Sequence, residues 1–154
     1  MQNGIITTPW EKTPLIYSGG LSDKLGCNVY LKLEVSLIIP ITSITRIQHE
    51  LFQHLHPSHS FKQRTLGLLA HQYVKKHGPS VHLVIPSGGN AALSAAHAAQ
   101  QLGVACTVFV PIPSCNSSMI EALRRFGATP NAYGETYQEA QEKAEEFVSR
   151  TPNA

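Results

Sequence analysis

Between Val81 and the end of the chain, short β-rich runs alternate with helical patterns, and each junction carries a glycine, a proline or a polar cap. No other feature restricts the fold as much. Strands separated by helix-length segments run parallel and are covered on both faces, so they read as continuous apolar runs. Val81 to Ile85 (VHLVI) and Cys106 to Val110 (CTVFV) are such runs, and the Ala-rich stretch Asn90 to Leu102 between them is a helix stopped by Gly103. Together they make one βαβ unit. Ser117 and Ser118 are expected to cap a second helix that runs through Phe126 and ends at Gly127. Thr129 to Ala132 fits a further strand, and Thr136 opens a last amphipathic helix. The fold class expected is α/β with a parallel sheet.

Upstream, Thr13 to Ile16 and Val29 to Leu33 read as strands flanking a short helix that ends at Gly26, and Phe61 to His77 reads as a helix terminated by Gly78 and Pro79. Val35 to Gln53 breaks the rhythm. It is β-branched, holds Pro40 mid-run and follows neither period, so it reads as an insertion and an irregular excursion from the sheet. A retained intron is one origin for it and a true loop the other. The whole chain, 1–154, is taken as one domain region, with βαβ units over about 54–150.

Composition narrows the partners. With 42% hydrophobic and 14% charged residues the chain can bury a core, and a net charge of +2 with scattered Lys and Arg gives no footprint for nucleic acid. No apolar run reaches the roughly 18 residues of a membrane span, and the first residues lack the pattern of a secretory signal. Cys27, Cys106 and Cys115 form no CxxC pair and read as reduced thiols, so a cytoplasmic location is expected. His49, His54, His56 and His59 lie close together in sequence, but with no fixed period and no acidic neighbour except Glu50 they specify no metal site.

Two stretches carry chemistry. In His56 to Arg64, HPSHSFKQR, Lys62 falls in the first turn of a helix, right after a serine-containing loop. The positive end of a helix favours the neutral amine that a Schiff base requires. An ordinary exposed lysine near a cap fits the same local sequence. In Pro86 to Asn90, PSGGN, two glycines join a buried strand to a helix, a turn whose amides can grip a carboxylate or phosphate. It matches neither GxGxxG nor a P-loop. Glycines used for turn geometry alone would look the same.

In order along the chain, Thr13-Pro14-Leu15, VYLKLE (Val29 to Glu34), PSHSFK (Pro57 to Lys62), SGGNAA (Ser87 to Ala92), LGVACTVFVP (Leu102 to Pro111) and RRFGA (Arg124 to Ala128) resemble the amino-terminal half of fold-type II pyridoxal-phosphate enzymes. Within that group the wording is most similar to the catabolic L-serine/L-threonine dehydratases. The resemblance implies that Lys62 holds the cofactor as a Schiff base and shuttles the substrate α-proton, that Phe61 packs on the pyridine ring, and that Asn90 hydrogen-bonds the ring's phenolic oxygen. It assigns Ser87, Gly88, Gly89 and Asn90 to the substrate carboxylate and places Ser60 in the cofactor-side turn. It further implies pyridoxal 5'-phosphate as cofactor, serine and threonine as substrates, deamination to a 2-oxo acid in amino-acid catabolism and gluconeogenesis, and a homodimer as one assembly. The family pattern carries Gly at the positions of His59 and Thr65. Cysteine or threonine synthase chemistry on the same scaffold, and a non-catalytic module that associates with a full-length relative, are the alternatives.

Overall fold

The computed structural model describes residues 12–33, 58 and 60–154. The insertion assigned to Val35 to Gln53 and the histidines 49, 54, 56 and 59 lie outside the described residues.

Three parallel strands form the central sheet: β3 (His82–Pro86), β4 (Ala105–Val110) and β5 (Thr129–Ala132), in the order β3-β4-β5. β4 is therefore the middle strand, and its side chains alternate across the sheet. Cys106, Val108 and Val110 pack on one face with Ala92, Ala96 and Ala99 of helix α3 (Asn90–Leu102) and with Met119 and Leu123 of helix α4 (Ser117–Arg125). Phe109 points the other way, into Ala140, Ala144 and Phe147 of helix α5 (Tyr137–Arg150). Coverage on both faces is why the run CTVFV has no polar alternation apart from Thr107, which is itself buried. The alanines of α3 let that helix sit close to the strands, and seven of its residues are buried.

Helix stops follow from backbone geometry. Gly103 at φ 67° donates to Gln100 O while Val104 donates to Ala99 O, and Gly127 at φ 75° donates to Arg124 O while Ala128 donates to Leu123 O. Both are Schellman endings, in which a left-handed residue turns the chain back so that the last carbonyls find donors. The start of α4 differs from the expectation. Asn116, not Ser117 or Ser118, is the cap, and its side chain accepts from the Met119 amide at 2.9 Å. That register puts Met119 and Leu123, four residues apart, on the buried face. Thr136 caps α5 as expected, accepting from the Glu139 amide at 3.2 Å.

The amino-terminal unit is separate from this sheet. β1 (Leu15–Tyr17) pairs antiparallel with β2 (Tyr30–Lys32), and α1 (Gly19–Leu25) connects them, ending at Gly26 with φ 66°. Ser22 holds the connection by donating to Ser18 O and accepting from the Val29 amide. Thr13 then ties the unit to helix α2 (Lys62–His77): its hydroxyl accepts from Arg64 at 2.8 Å and its carbonyl accepts from Lys32.

Burial separates the thiols. Cys106 lies under α3, and desolvation pushes its thiol up to about 12, whereas Cys27 is exposed. Alkylation of the native protein with iodoacetamide at pH 8 is expected to modify Cys27 and spare Cys106 until denaturant is added. Equal labelling of both without denaturant would contradict the packing of β4 against α3.

Candidate active site

Lys62 is the first residue of α2, and the turn before it is unusually well tied down for a loop. Ser60 is buried and works twice: its hydroxyl accepts from the Lys62 amide at 3.2 Å and its carbonyl from the Gln63 amide at 3.1 Å. The Arg64 amide reaches Phe61 O at 3.1 Å, so the helix opens with i→i+3 bonds that tighten its first turn. Phe61 therefore occupies the cap position with helical backbone angles, and its ring is left 57% exposed. The Lys62 ammonium lies 5.2 Å from the centre of that ring. No carboxylate pairs with it among the described residues, so an exposed primary amine and an open aromatic face stand side by side.

The PSGGN turn joins β3 to α3. Its amides are not equivalent. The Ser87 amide is spent on Phe109 O at 2.9 Å, and the Gly89 amide points at Ser87 Oγ at 3.3 Å. Leu93 makes the first intrahelical bond, back to Gly89 O, so the amides of Asn90, Ala91 and Ala92 stand at the helix start without helical acceptors, and Gly89 provides no side-chain cap. These are the groups that can hold an anion. The two glycines also differ. A Cβ on Gly88 would fall 2.2 Å from Ser114 Cβ, so the space it leaves is filled by protein, whereas a Cβ on Gly89 would meet nothing within 4 Å. Gly88 closes the turn and Gly89 keeps its outer side open.

The two stretches meet through buried hydroxyls. Ser94 Oγ, one turn into α3 from Asn90, donates to Ser58 Oγ at 3.0 Å, four residues before Lys62, and both serines are 0% exposed. The lysine turn is thus fastened to the helix whose start carries Asn90. Sequence reasoning singled out Lys62, Phe61, Ser60, Ser87, Gly88, Gly89 and Asn90, and missed Ser58, Ser94 and Ser114. A lone serine inside an alanine run was the only local trace of the contact made by Ser94. An apolar groove of about 510 Å³ between α2, β3 and the end of α5, lined by Leu66, Leu69, Tyr73, Val84 and Val148 among others, shares no residue with this site.

A family model described as "Pyridoxal-phosphate dependent enzyme" matches residues 49–154, which include the lysine turn, the PSGGN turn and the whole parallel sheet. The chain belongs to the pyridoxal-phosphate-dependent enzyme family. Human L-serine dehydratase/L-threonine deaminase is 35% identical over 141 residues, covering 92% of this chain and 36% of the relative. The human serine dehydratase-like protein is 33% identical over 138 residues, covering 90% of the chain and 35% of the relative. Among solved structures, a fungal L-serine ammonia-lyase from Rhizomucor miehei superposes with a TM-score of 0.68 at 27% identity, over 94% of this chain and 39% of that one. The chain thus spans about a third of the length of the curated relatives it matches. The fold-type II resemblance and the α/β class both hold. For the family's cofactor, pyridoxal 5'-phosphate, the exposed amine of Lys62 beside the open ring of Phe61 is a fitting pair.

Proposed function

We propose that this chain carries the cofactor-lysine portion of a pyridoxal-phosphate-dependent lyase that deaminates L-serine, and L-threonine, to a 2-oxo acid and ammonia by α,β-elimination. The observation that carries the reading is the placement of an exposed Lys62 amine beside Phe61, fastened to a helix start with open amides. In this reading Lys62 holds pyridoxal phosphate, Phe61 covers one face of its ring and Asn90 reaches its phenolic oxygen. The cofactor, when bound, supplies the sink for the electrons left on Cα.

The chain's own groups do the rest. The amides of Asn90 to Ala92, with Ser87, Gly88 and Gly89 forming the turn beside them, hold the substrate carboxylate and so fix the direction of the Cα–H bond. The Lys62 amine takes the α-proton. The β-hydroxyl leaves as water with the proton removed from Cα, and one water is consumed when the product hydrolyses to pyruvate from serine, or 2-oxobutanoate from threonine, with release of ammonia. The names of the human and fungal relatives support serine as the first substrate to try. The catabolic L-serine/threonine dehydratase of Saccharomyces cerevisiae, 37% identical over 93 residues, supports a place in amino-acid breakdown. Among the described residues no helix is long and apolar enough to cross a membrane.

The test is to incubate the purified chain with pyridoxal phosphate, reduce with borohydride and map the modified peptides. A near-stoichiometric adduct on Lys62, about tenfold above that on Lys75 or Lys76 and absent from Lys62→Ala, is expected from a preorganised site. Modification scattered evenly over the lysines would sink the reading.

A second reading, a non-catalytic module that associates with a full-length relative, is favoured by one observation: Leu15, Leu25 and Tyr30 of the β1–α1–β2 unit are more than half exposed, an apolar surface that a further polypeptide could cover. Scattered labelling together with co-elution with a full-length relative would favour it.

A further inference from the structure

We infer that Ser94 is a positioning residue for the cofactor lysine, acting through its buried hydrogen bond to Ser58 to hold the Lys62 turn in register with the start of α3. The inference deepens the proposed function, since it names the residue that aligns the two halves of that same site. Its physical basis lies in where the two hydroxyls are and what each is attached to. Ser58 and Ser94 are 36 positions apart in sequence, both are completely buried, and their oxygens are 3.0 Å apart. Ser58 lies two positions before Ser60, whose hydroxyl accepts from the Lys62 amide. Ser94 lies four residues beyond Asn90, on the helix whose first amides have no helical acceptors. A helix fixes the distance from Ser94 to Asn90, and Ser58 lies only four positions before Lys62 in the chain. The hydroxyl pair adds a directional bond between these two stretches beside the packing of α2 on α3.

Alternative roles for the pair are weaker. A hydroxyl inside a run of alanines is not needed for the packing of α3, because alanine is the better helix former and would fill the same space apart from one oxygen. Such a bond in a low-dielectric interior is directional, so it specifies a geometry more than it adds to stability. Packing of α2 along α3 sets the distance between the two helices, and the serine pair adds a directional bond at the end of that interface where Lys62 lies.

Ser94→Ala, Ser58→Ala and the double variant test this in the purified chain by two readouts. The first needs no cofactor. Hydrogen exchange of the Lys62 and Gln63 amides is expected to quicken by about tenfold in either single variant, while amides of β4 keep their protection. The second is the borohydride-trapped pyridoxal phosphate adduct, whose occupancy at Lys62 relative to Lys75 and Lys76 is expected to fall by about tenfold. The double variant separates positioning from stability. It leaves no orphaned hydroxyl and so regains the thermal stability lost by the single variants, yet it keeps the fast exchange and the poor labelling. Unchanged exchange and labelling in Ser94→Ala would overturn the inference, as would a double variant in which both return to wild-type values along with stability. A wild-type chain that takes no adduct at Lys62 would instead overturn the cofactor reading, and the exchange data would still decide whether Ser94 holds the turn.

Discussion

Gly88→Ala is expected to lower the stability of the chain by about 3 kcal/mol, near the upper end of what overpacking commonly costs. The reason is contact, not conformation: Gly88 is absent from the positive-φ glycines, but an added Cβ would sit 2.2 Å from Ser114 Cβ and 2.8 Å from its hydroxyl. Ser114 cannot simply withdraw. It closes a 3₁₀ turn, Ile112–Ser114, whose amides are bound to Pro111 O and, at Ile112, to Gly134 O at 2.8 Å. The turn from β3 to α3 would have to open instead, moving the amides of Asn90 to Ala92 away from the lysine turn. Urea unfolding of Gly88→Ala beside Gly89→Ala gives the comparison, since the second substitution meets open space on extended backbone and is expected to stay within about 0.5 kcal/mol of wild type. Adding Ser114→Gly to Gly88→Ala is expected to restore most of the loss. Equal tolerance of alanine at both positions would mean that the PSGGN turn is not packed against Ser114.

The contrast between the two glycines shows where local sequence stops being informative. PSGGN is legible as a strand-to-helix turn because β-rich VHLVI precedes it and an alanine-rich helix follows. Nothing in those five residues tells which glycine faces Ser114 and which faces outward, because Ser114 arrives from the 3₁₀ turn that follows the next strand, 26 positions downstream. The same limit applies at α4. Asn116, Ser117 and Ser118 can each cap a helix, and the choice falls to Asn116 because that start buries Met119 and Leu123 together. Endings are read more securely than starts, since a left-handed glycine such as Gly103 or Gly127 leaves few alternatives. The site follows the same division. Lys62 and Asn90 are legible as residues at two helix starts, while the bond between Ser58 and Ser94 that relates those starts depends on how α2 lies along α3.

Leu123→Ala is expected to be as costly as any single truncation in the sheet core, about 3 kcal/mol, through lost burial plus the cavity left behind. Leu123 is 0% exposed and is among the largest fully buried side chains of the described residues. It belongs to the cluster in which α4 and β4 meet Ala92, Ala96 and Ala99 of α3. Those alanines are too short to fill a void, so collapse around the missing atoms would require α3 itself to shift, and cavities that cannot collapse are the expensive ones. A shift of α3 moves Ser94 and the amides of Asn90 to Ala92 together and disturbs the interface through which α3 packs on α2, the helix that carries Lys62. Two consequences are therefore expected from one truncation: a lower urea midpoint with an unchanged slope, and a drop in trapped adduct at Lys62 under conditions where the variant is still folded. Loss of stability with labelling intact would show that the register between the two helix starts is held by the serine pair alone, independent of the core beneath it.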